Sequence, residues 1–341
     1  MLLKISLHSF RNFKKREFFF SPETTAIIGP NASGKTNILE AINLLSTGKS
    51  FKAGKQEEMI GYGEEVARVK GGELEVVLTR GVITRGNVAE RTAGKRLFVK
   101  GVGKRLIDFA GRLKVVSFRP QDIDLVTGSP SKRRDFMDGV LGQIDYEYRR
   151  NLLSYEKGLK RRNRVLWLIR DEGASVSQLA FWDSLLIKNA DYIARERFDL
   201  VRFVNSSEWY RKNGFMLHYD KSVISAQRLD KYRGREIAAG QTLVGPHRDD
   251  LMFMAGNREL DKYGSRGEQR MVVLWLKLAE LLFVEEKTGE KPVLLLDDIF
   301  SELDGDNRAL IKEISNSQQT IVTTTDEDNI SDFSGAKKIN V

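Results

Sequence analysis

The sequence predicts an α/β protein of the phosphate-loop type, with a mixed sheet, an added antiparallel β layer and an inserted helical hairpin. Three observations carry this. The stretch Gly29-Pro30-Asn31-Ala32-Ser33-Gly34-Lys35-Thr36 follows an apolar run, Thr24 to Ile28, and precedes a helical pattern from Asn37 to Leu45. Strand, glycine-rich turn and helix in that order are what a phosphate-binding loop requires. Pro292-Val293-Leu294-Leu295-Leu296-Asp297-Asp298 reads as a strand buried on both faces that ends in two acids. Finally, Tyr148, Leu152, Tyr155, Leu159, Leu166 and Ile169 recur at helical spacing, as do Leu179, Trp182, Leu186, Ala190, Ile193, Leu200 and Val204. The turn Asp171 to Ser175 joins these two patterns into a hairpin, a short antiparallel coiled coil.

With 341 residues the chain can bury a full core. Apolar and charged fractions of 41% and 30% fit a soluble, cytoplasmic protein, and no apolar run is long enough to predict a membrane span. The start, Met1 to Ser6, alternates like a strand and lacks the apolar core of a signal peptide. Cysteine is absent, which excludes disulfides and thiolate metal sites. His8, His218 and His247 are too scattered for a histidine metal site.

The net charge of +9 is unevenly spread. Residues 80–114 carry ten basic and two acidic residues, and residues 149–170 carry eight basic and one acidic, so the rest of the chain is net acidic. Concentrated basic segments on an acidic remainder point to a polyanion, with nucleic acid the first candidate. Candidate phosphate contacts are Arg80, Arg85, Lys95, Arg96, Lys104 and Arg105 in the first segment, and Lys160, Arg161 and Arg164 in the second.

Taken in order, residues 2–8 and Arg16 to Phe20 read as strands around the turn Arg11-Asn12-Phe13-Lys14. Arg11 or Phe13 could contact a nucleotide base or simply form a surface loop. Gly29 and Gly34 let the backbone curl so that N–H groups converge on a phosphate at the helix N-terminus. The binding stretch therefore comprises Gly29, Pro30, Asn31, Ala32, Ser33, Gly34, Lys35 and Thr36, with Asn37 beside it. Lys35 would reach the β/γ-phosphates, and the Thr36 hydroxyl would ligate Mg²⁺. The helix ends near Gly48. From Val66 to Val116 short alternating segments with Gly-rich turns predict the antiparallel layer. Lys114 to Phe118 is another strand, and Gly128 to Arg134 turns into a helix with Ser131 as candidate N-cap. Phe215 to Tyr219 returns to strand. Gly264-Ser265 opens an apolar helix, a second candidate anion site. Asp297 suits Mg²⁺, directly or through water, and Asp298 suits positioning or deprotonating an attacking water.

Phosphate loop, Gly/Ser helix opening, Leu-rich strand with Asp297-Asp298 and then Ser301-Glu302-Leu303-Asp304 resemble the head of ABC-type ATPases shared with SMC-like proteins. On that likeness, residues 1–122 and 240–341 form the ABC/SMC-type head, and 123–239 an inserted arm. Lys35 and Asp297 lie too close in sequence for a full SMC coiled coil. Ser50-Phe51-Lys52, Gly128-Ser129-Pro130 with Arg133-Arg134, Gly245-Pro246-His247-Arg248-Asp249-Asp250, Ser265-Arg266-Gly267 and Leu296 to Asp304 narrow the resemblance to the RecF family of DNA repair mediators. The resemblance implies an ATP-dependent homodimer in which Ser265, Arg266 and Gly267 of one copy meet the γ-phosphate held by the other. It implies binding to gapped DNA at single-strand to double-strand junctions, partnership with RecR and RecO in loading RecA, a role in replication-linked repair and the SOS response, and slow DNA-stimulated ATP hydrolysis. Gln121 would be the Q-loop residue, touching Mg²⁺ and water, and catalysis would rest on Asp298, Lys35, Asp297 and Gln121. Two departures stand out. Glu268 replaces the signature glutamine, which disfavours a nearby triphosphate unless it points away or pairs with Arg266 or Arg270. No histidine follows the last core strand, where Thr324 or Thr325 takes its place.

Two other readings compete. One is another SMC-like ATPase of DNA repair or anti-phage defence, which calls for a longer arm or a nuclease domain. The other is a small-molecule kinase or GTPase using the phosphate loop alone, which leaves the arm and the signature segment without a role.

Overall fold

Three strands of aliphatic and hydroxyl residues, Thr24–Ile28, Val293–Asp297 and Thr320–Thr324, are buried along their whole length. Strands of this kind need cover on both faces, which a parallel sheet supplies. In this computed structural model they form the centre of a five-stranded parallel sheet. Its order is Val115–Phe118, Val293–Asp297, Thr320–Thr324, Thr24–Ile28 and Lys337–Asn340. The structure describes all residues except 86, 87, 301, 302, 304, 327–332 and 334, and leaves aside the side chains of 82–91 and Trp209. Of the Ser301-Glu302-Leu303-Asp304 segment, only Leu303 is among the described residues.

Register fixes where the ligand edge lies. Phe118 pairs with Leu296, Asp297 with Thr323, and Thr324 with Ile28, so four strands end level with one another. The carboxyl edge of such a sheet is where α/β proteins hold ligands. The helix Lys35–Thr47 leaves from that edge and buries Ile38, Leu39, Ile42 and Leu45 against a core shared with a six-stranded antiparallel sheet. That sheet runs Phe13–Phe19, Lys4–Phe10, Val66–Gly71, Leu74–Thr79, Lys95–Val99, Val102–Lys104. The helix stops where Gly48 takes a left-handed φ of 68°, as a C-terminal glycine allows. The parallel sheet and the antiparallel layer thus share one hydrophobic core.

Contacts divide the chain into two units, Met1–Asp122 with Glu280–Val341, and Ile123–Ala279. The return crossing stands at 279/280, beyond the 239/240 expected from sequence. The reason is strand pairing: Asp250–Ala255 runs antiparallel along all of Phe215–Asp220, which ties the intervening segment to the second unit.

The second unit is built on the antiparallel helices Tyr146–Glu172 and Leu179–Ser206. The Asp145 carboxylate caps the first by accepting the Glu147 amide at 2.8 Å. The helices approach closely at Gly158, where an added Cβ would stand 2.5 Å from Leu185 Cδ2. Polar contacts set the register, with Asn189 Nδ2 donating to Ser154 Oγ at 3.2 Å and Arg162 Nε to Asp183 Oδ1 at 2.6 Å.

Arg162 is the surprise of the basic run. It is 1% exposed and also donates to Thr242 Oγ1 at 2.8 Å and pairs with Glu236 Oε2 at 2.8 Å. Arg197 is likewise buried, reaching Asp249 Oδ2, the Pro246 carbonyl and Asp138 Oδ1, each at 2.8 Å. These contacts make the Gly245 to Asp250 motif an anchoring element of the arm. Glu236 comes from the helix Ala226–Ala239, which the sequence reading did not anticipate. The helix Pro130–Ile144 begins with Ser129 as its N-cap residue and Pro130 at its first position, so the expected Ser131 cap lies two residues too far inside. Among the described residues no helix is long and apolar enough to cross a membrane.

Candidate nucleotide site

The helix Lys35–Thr47 starts with no side-chain cap and no acid in its first turn. Its first amides therefore remain open to an anion. Both loop glycines are sterically required. A Cβ on Gly29 would lie 2.3 Å from the Val341 carbonyl oxygen. At Gly34 φ is 114°, and a Cβ would lie 2.7 Å from both Asn12 Nδ2 and Phe13 Cζ. Lys35 lies back along the loop, 8% exposed, donating to the carbonyls of Gly29 at 2.6 Å and Pro30 at 2.9 Å. An ammonium has three donors, so one remains for a phosphate oxygen. Ser33 Oγ is buried without a hydrogen-bond partner.

The turn before the loop holds it from the side. Asn12 Nδ2 donates to the Ser33 carbonyl at 2.9 Å, Asn37 Nδ2 donates to Asn12 Oδ1 at 2.9 Å, and Lys52 Nζ donates to Asn37 Oδ1 at 3.1 Å. Arg11, at a φ of 52°, is bound in bidentate fashion to the fully buried Glu40 at 2.6 and 2.8 Å. Glu40 also accepts Ser50 Oγ at 2.5 Å. Phe13 is 7% exposed and packs edge-on against Phe18. Neither Arg11 nor Phe13 is a loop residue reaching for a base: one braces the phosphate helix and the other is core. Asn12 carried no sequence signal, because a lone Asn in a turn is ordinary.

Across the sheet edge, Thr36 Oγ1 donates to Asp297 Oδ1 at 2.9 Å, and Thr323 Oγ1 donates to the same oxygen at 2.8 Å. Asp297 is 5% exposed, so these bonds replace water around a carboxylate. The Asp298 amide donates to the Thr323 carbonyl at 3.2 Å and lies 3.1 Å from its hydroxyl. Asp298 itself has a φ of 52°, a left-handed conformation that costs a non-glycine residue about 1–2 kcal/mol. Thr323 thus joins the two acids. Sequence reasoning missed it in favour of Thr324 or Thr325, because the choice depends on cross-strand register. Thr324 Oγ1 instead closes a local turn with Asp326. Gln121 is exposed and follows the strand Val115–Phe118 at the same sheet edge, with no hydrogen bond to the two acids. It is framed by Arg119, which donates to Asp122 Oδ1 at 2.6 Å and stacks over Phe51 at 4.3 Å.

The donor set fits a magnesium ion accompanied by phosphates. Thr36 and Asp297 bring two hard oxygens together, and among the described residues no cluster of three or more His, Cys, Asp or Glu forms a self-sufficient metal cage. Mg²⁺ is usually held in this way, by one or two protein oxygens with phosphates and water completing the shell.

The segment Gly264 to Glu268, in the second unit, opens the helix Arg266–Thr288. Its anion site is filled from within. Glu268 Oε2 accepts the Ser265 amide at 2.8 Å, and Ser265 Oγ accepts the Glu268 amide at 3.2 Å, a capping box. The cation paired with Glu268 is Arg258, at 2.8 Å. The Ser265 amide, and then Arg258, hold the Glu268 carboxyl below its usual range. Arg266 lies 3.4 Å from Gln269 Oε1. The Ser265 hydroxyl keeps its own proton available for donation, and Gly267 leaves the approach unobstructed by a side chain.

The whole chain, residues 1–341, matches the family described as RecF/RecN/SMC N terminal domain. A "DNA replication and repair protein RecF" from Roseiflexus castenholzii is 36% identical, covering 95% of this chain and 93% of that protein. The RecF protein of Halalkalibacterium halodurans is 35% identical, with 96% and 93% covered. The chain belongs to the RecF family. A solved structure described as the recombination mediator protein RecF-ATPrS in the RecFOR pathway superposes with a TM-score of 0.87 at 31% identity, covering 100% of this chain and 96% of that one. A RecF-ATP structure gives 0.85 at 32% identity, covering 95% and 92%. An Smc head with a coiled coil and joint from Pyrococcus yayanosii shares the fold, with a TM-score of 0.53 at 15% identity over 100% of this chain and 94% of that one.

For this RecF-family chain the two basic segments differ in how their charges are used. In the β layer, Arg80 Nε donates to the Glu64 carbonyl at 2.8 Å, and Arg105 pairs with Asp108 at 2.8 Å. Lys95 is half-buried, donates to the Gly48 carbonyl at 2.8 Å, and has its pKa lowered by burial and then by Lys49. That geometry turns Lys95 away from the role of phosphate contact. Arg96 lies over the Phe98 ring at 5.2 Å, Lys104 is exposed, and the Arg85 side chain lies outside those described. On the arm, Lys157, Lys160, Arg161 and Arg164 are all exposed, and among the described residues none of them forms an ion pair. Arg162 has turned inward, so the remaining cations share the outer face of one helix.

Proposed function

We propose that this protein is an ATP-gated DNA clamp: an ATPase that dimerises on ATP, binds gapped DNA at single-strand to double-strand junctions and, with RecR and RecO, promotes RecA loading. The observation that carries the nucleotide half is the uncapped helix at Lys35, placed beside Thr36, Asp297 and Thr323 at one sheet edge. The solved RecF structures described with ATP and ATPrS support reading that edge as an ATP site.

The loop amides and Lys35 hold the phosphates. Thr36 and Asp297 are the residues that would hold Mg²⁺, with Gln121 as a further candidate. When bound, Mg²⁺ neutralises charge on the β- and γ-phosphates. Asp298 orients or deprotonates water; its short side chain and constrained backbone fit slow turnover. Ser265, Arg266 and Gly267 of a second copy complete the site on the γ-phosphate, so that hydrolysis reports and releases the closed dimer. DNA contact is assigned chiefly to Lys160, Arg161 and Arg164, because their charges are uncommitted.

The reading is tested by replacing Ser265 with Arg. ATP-induced dimerisation, followed by light scattering, should be lost while ATP binding to the monomer survives. Dimerisation at the original ATP concentration would remove the two-copy site from the account.

A further inference from the structure

The outer face of the arm carries an aromatic side chain that packing does not explain. Phe181 is 65% exposed, whereas its helix buries Leu186, Ala190, Ile193 and Arg197 on the opposite face. Its ring packs edge-on against Trp182 at 4.9 Å. A single exposed apolar residue is ordinary, and it is the surroundings that make this one informative.

The Arg162–Asp183 and Gly158–Leu185 contacts set the hairpin register, and they bring Phe181 level with Arg164. Lys157, Arg161 and Arg164 lie on the side of their helix opposite buried Tyr155, Arg162 and Leu166. Phe181 lies on the corresponding outer side of the second helix, with exposed Lys188 two turns further on. Arg164 is already flattened onto the Trp167 ring, 4.0 Å from its centroid, which leaves the other face of the guanidinium for a second planar group.

We propose that this outer face is a single-strand nucleic-acid platform, with Phe181 and the Arg164–Trp167 stack receiving unpaired bases while Lys157, Lys160 and Arg161 follow the phosphates. Aromatic faces interleaved with uncommitted cations are the means by which proteins hold single strands without reading sequence, since every base has a π-face and every linkage a charge. A duplex offers the charges but keeps its bases stacked internally, so Phe181 separates the two ligands. The proposal rests on the DNA-binding reading above and gives the single-stranded side of the junction its own residues.

The test is fluorescence anisotropy of the full chain with ATP, using a labelled single-stranded oligonucleotide and a duplex of the same sequence. Phe181→Ala should weaken single-strand binding about tenfold and leave duplex binding within twofold, and Phe181→Trp should restore it. The triple variant K160E/R161E/R164E should weaken both ligands. If Phe181→Ala changes neither ligand, or both equally, while the triple variant still fails, the platform is wrong and the basic-arm reading stands. If the triple variant binds both ligands normally, the arm is not the DNA surface and the platform falls with it.

Discussion

Replacing Thr323 with Val removes one hydroxyl and keeps the side chain's shape, so the effect of that hydroxyl can be isolated. In the structure it donates to Asp297 Oδ1 at 2.8 Å and lies 3.1 Å from the Asp298 amide. A hydrogen bond to a charged, buried acceptor contributes about 1.5–3 kcal/mol. Thr36 still serves the same oxygen, which places the expected loss of stability near the lower end, about 1.5 kcal/mol. The effect on turnover has a separate origin. Asp298, at a φ of 52°, has its amide shared between the carbonyl and hydroxyl of Thr323, and removing one acceptor loosens the carboxylate proposed to orient water. A loss of about 1.4 kcal/mol of positioning is a tenfold fall in rate. Steady-state ATP hydrolysis, measured below the melting transition, should therefore show kcat about tenfold lower with KM little changed, and Thr323→Ser should recover the rate. A Thr323→Val variant that turns over like the parent would refute the reasoning that Thr323 joins the two acids.

Three further outcomes follow from other parts of the molecule. Glu268→Gln removes a carboxylate that occupies the Ser265 amide while keeping an acceptor, so half-maximal ATP-driven dimerisation should move to about fivefold lower ATP, the effect of relieving one nearby like charge; a rise would mean that Glu268 helps to assemble the site. Arg162→Ala leaves Glu236 and Asp183 uncompensated and should cost about 3–5 kcal/mol in denaturant unfolding, whereas exposed Arg161→Ala should stay within about 0.5 kcal/mol; equal costs would contradict the burial of Arg162. His247 is held between the Tyr155 hydroxyl at 2.8 Å and the Thr242 carbonyl at 3.0 Å, with Arg134, Arg162 and Arg248 nearby; burial first, then these cations, push its pKa down to about 4. The unfolded chain therefore binds this proton more readily, so its contribution of about 3 kcal/mol is present above pH 6.5 and lost as pH falls towards 4. Unfolding midpoints should drop across that window and flatten in His247→Gln; an unchanged slope would assign the loss to other groups.

Much of this was legible in the sequence because it is local. The phosphate loop declares itself through the apolar strand before it and the helix after it, and the acid strand through five buried residues ending at Asp297. The hairpin helices follow from their spacing. What could not be read depends on which distant residues meet. Thr323 and Thr324 are equivalent in sequence, and only the pairing of Asp297 with Thr323 distinguishes them. Arg162 looks like its basic neighbours until the helix Ala226–Ala239 brings Glu236 to it. Glu268 raised the right question about charge at the signature position, but its partner, Arg258, lies ten residues away across a turn.

The most direct measurement is sedimentation velocity of the protein with and without ATP, each with and without gapped DNA. The account predicts a monomer without nucleotide, a dimer with ATP, and a heavier dimer–DNA species only when both are present. A chain that remains monomeric on gapped DNA at saturating ATP would contradict the ATP-gated clamp.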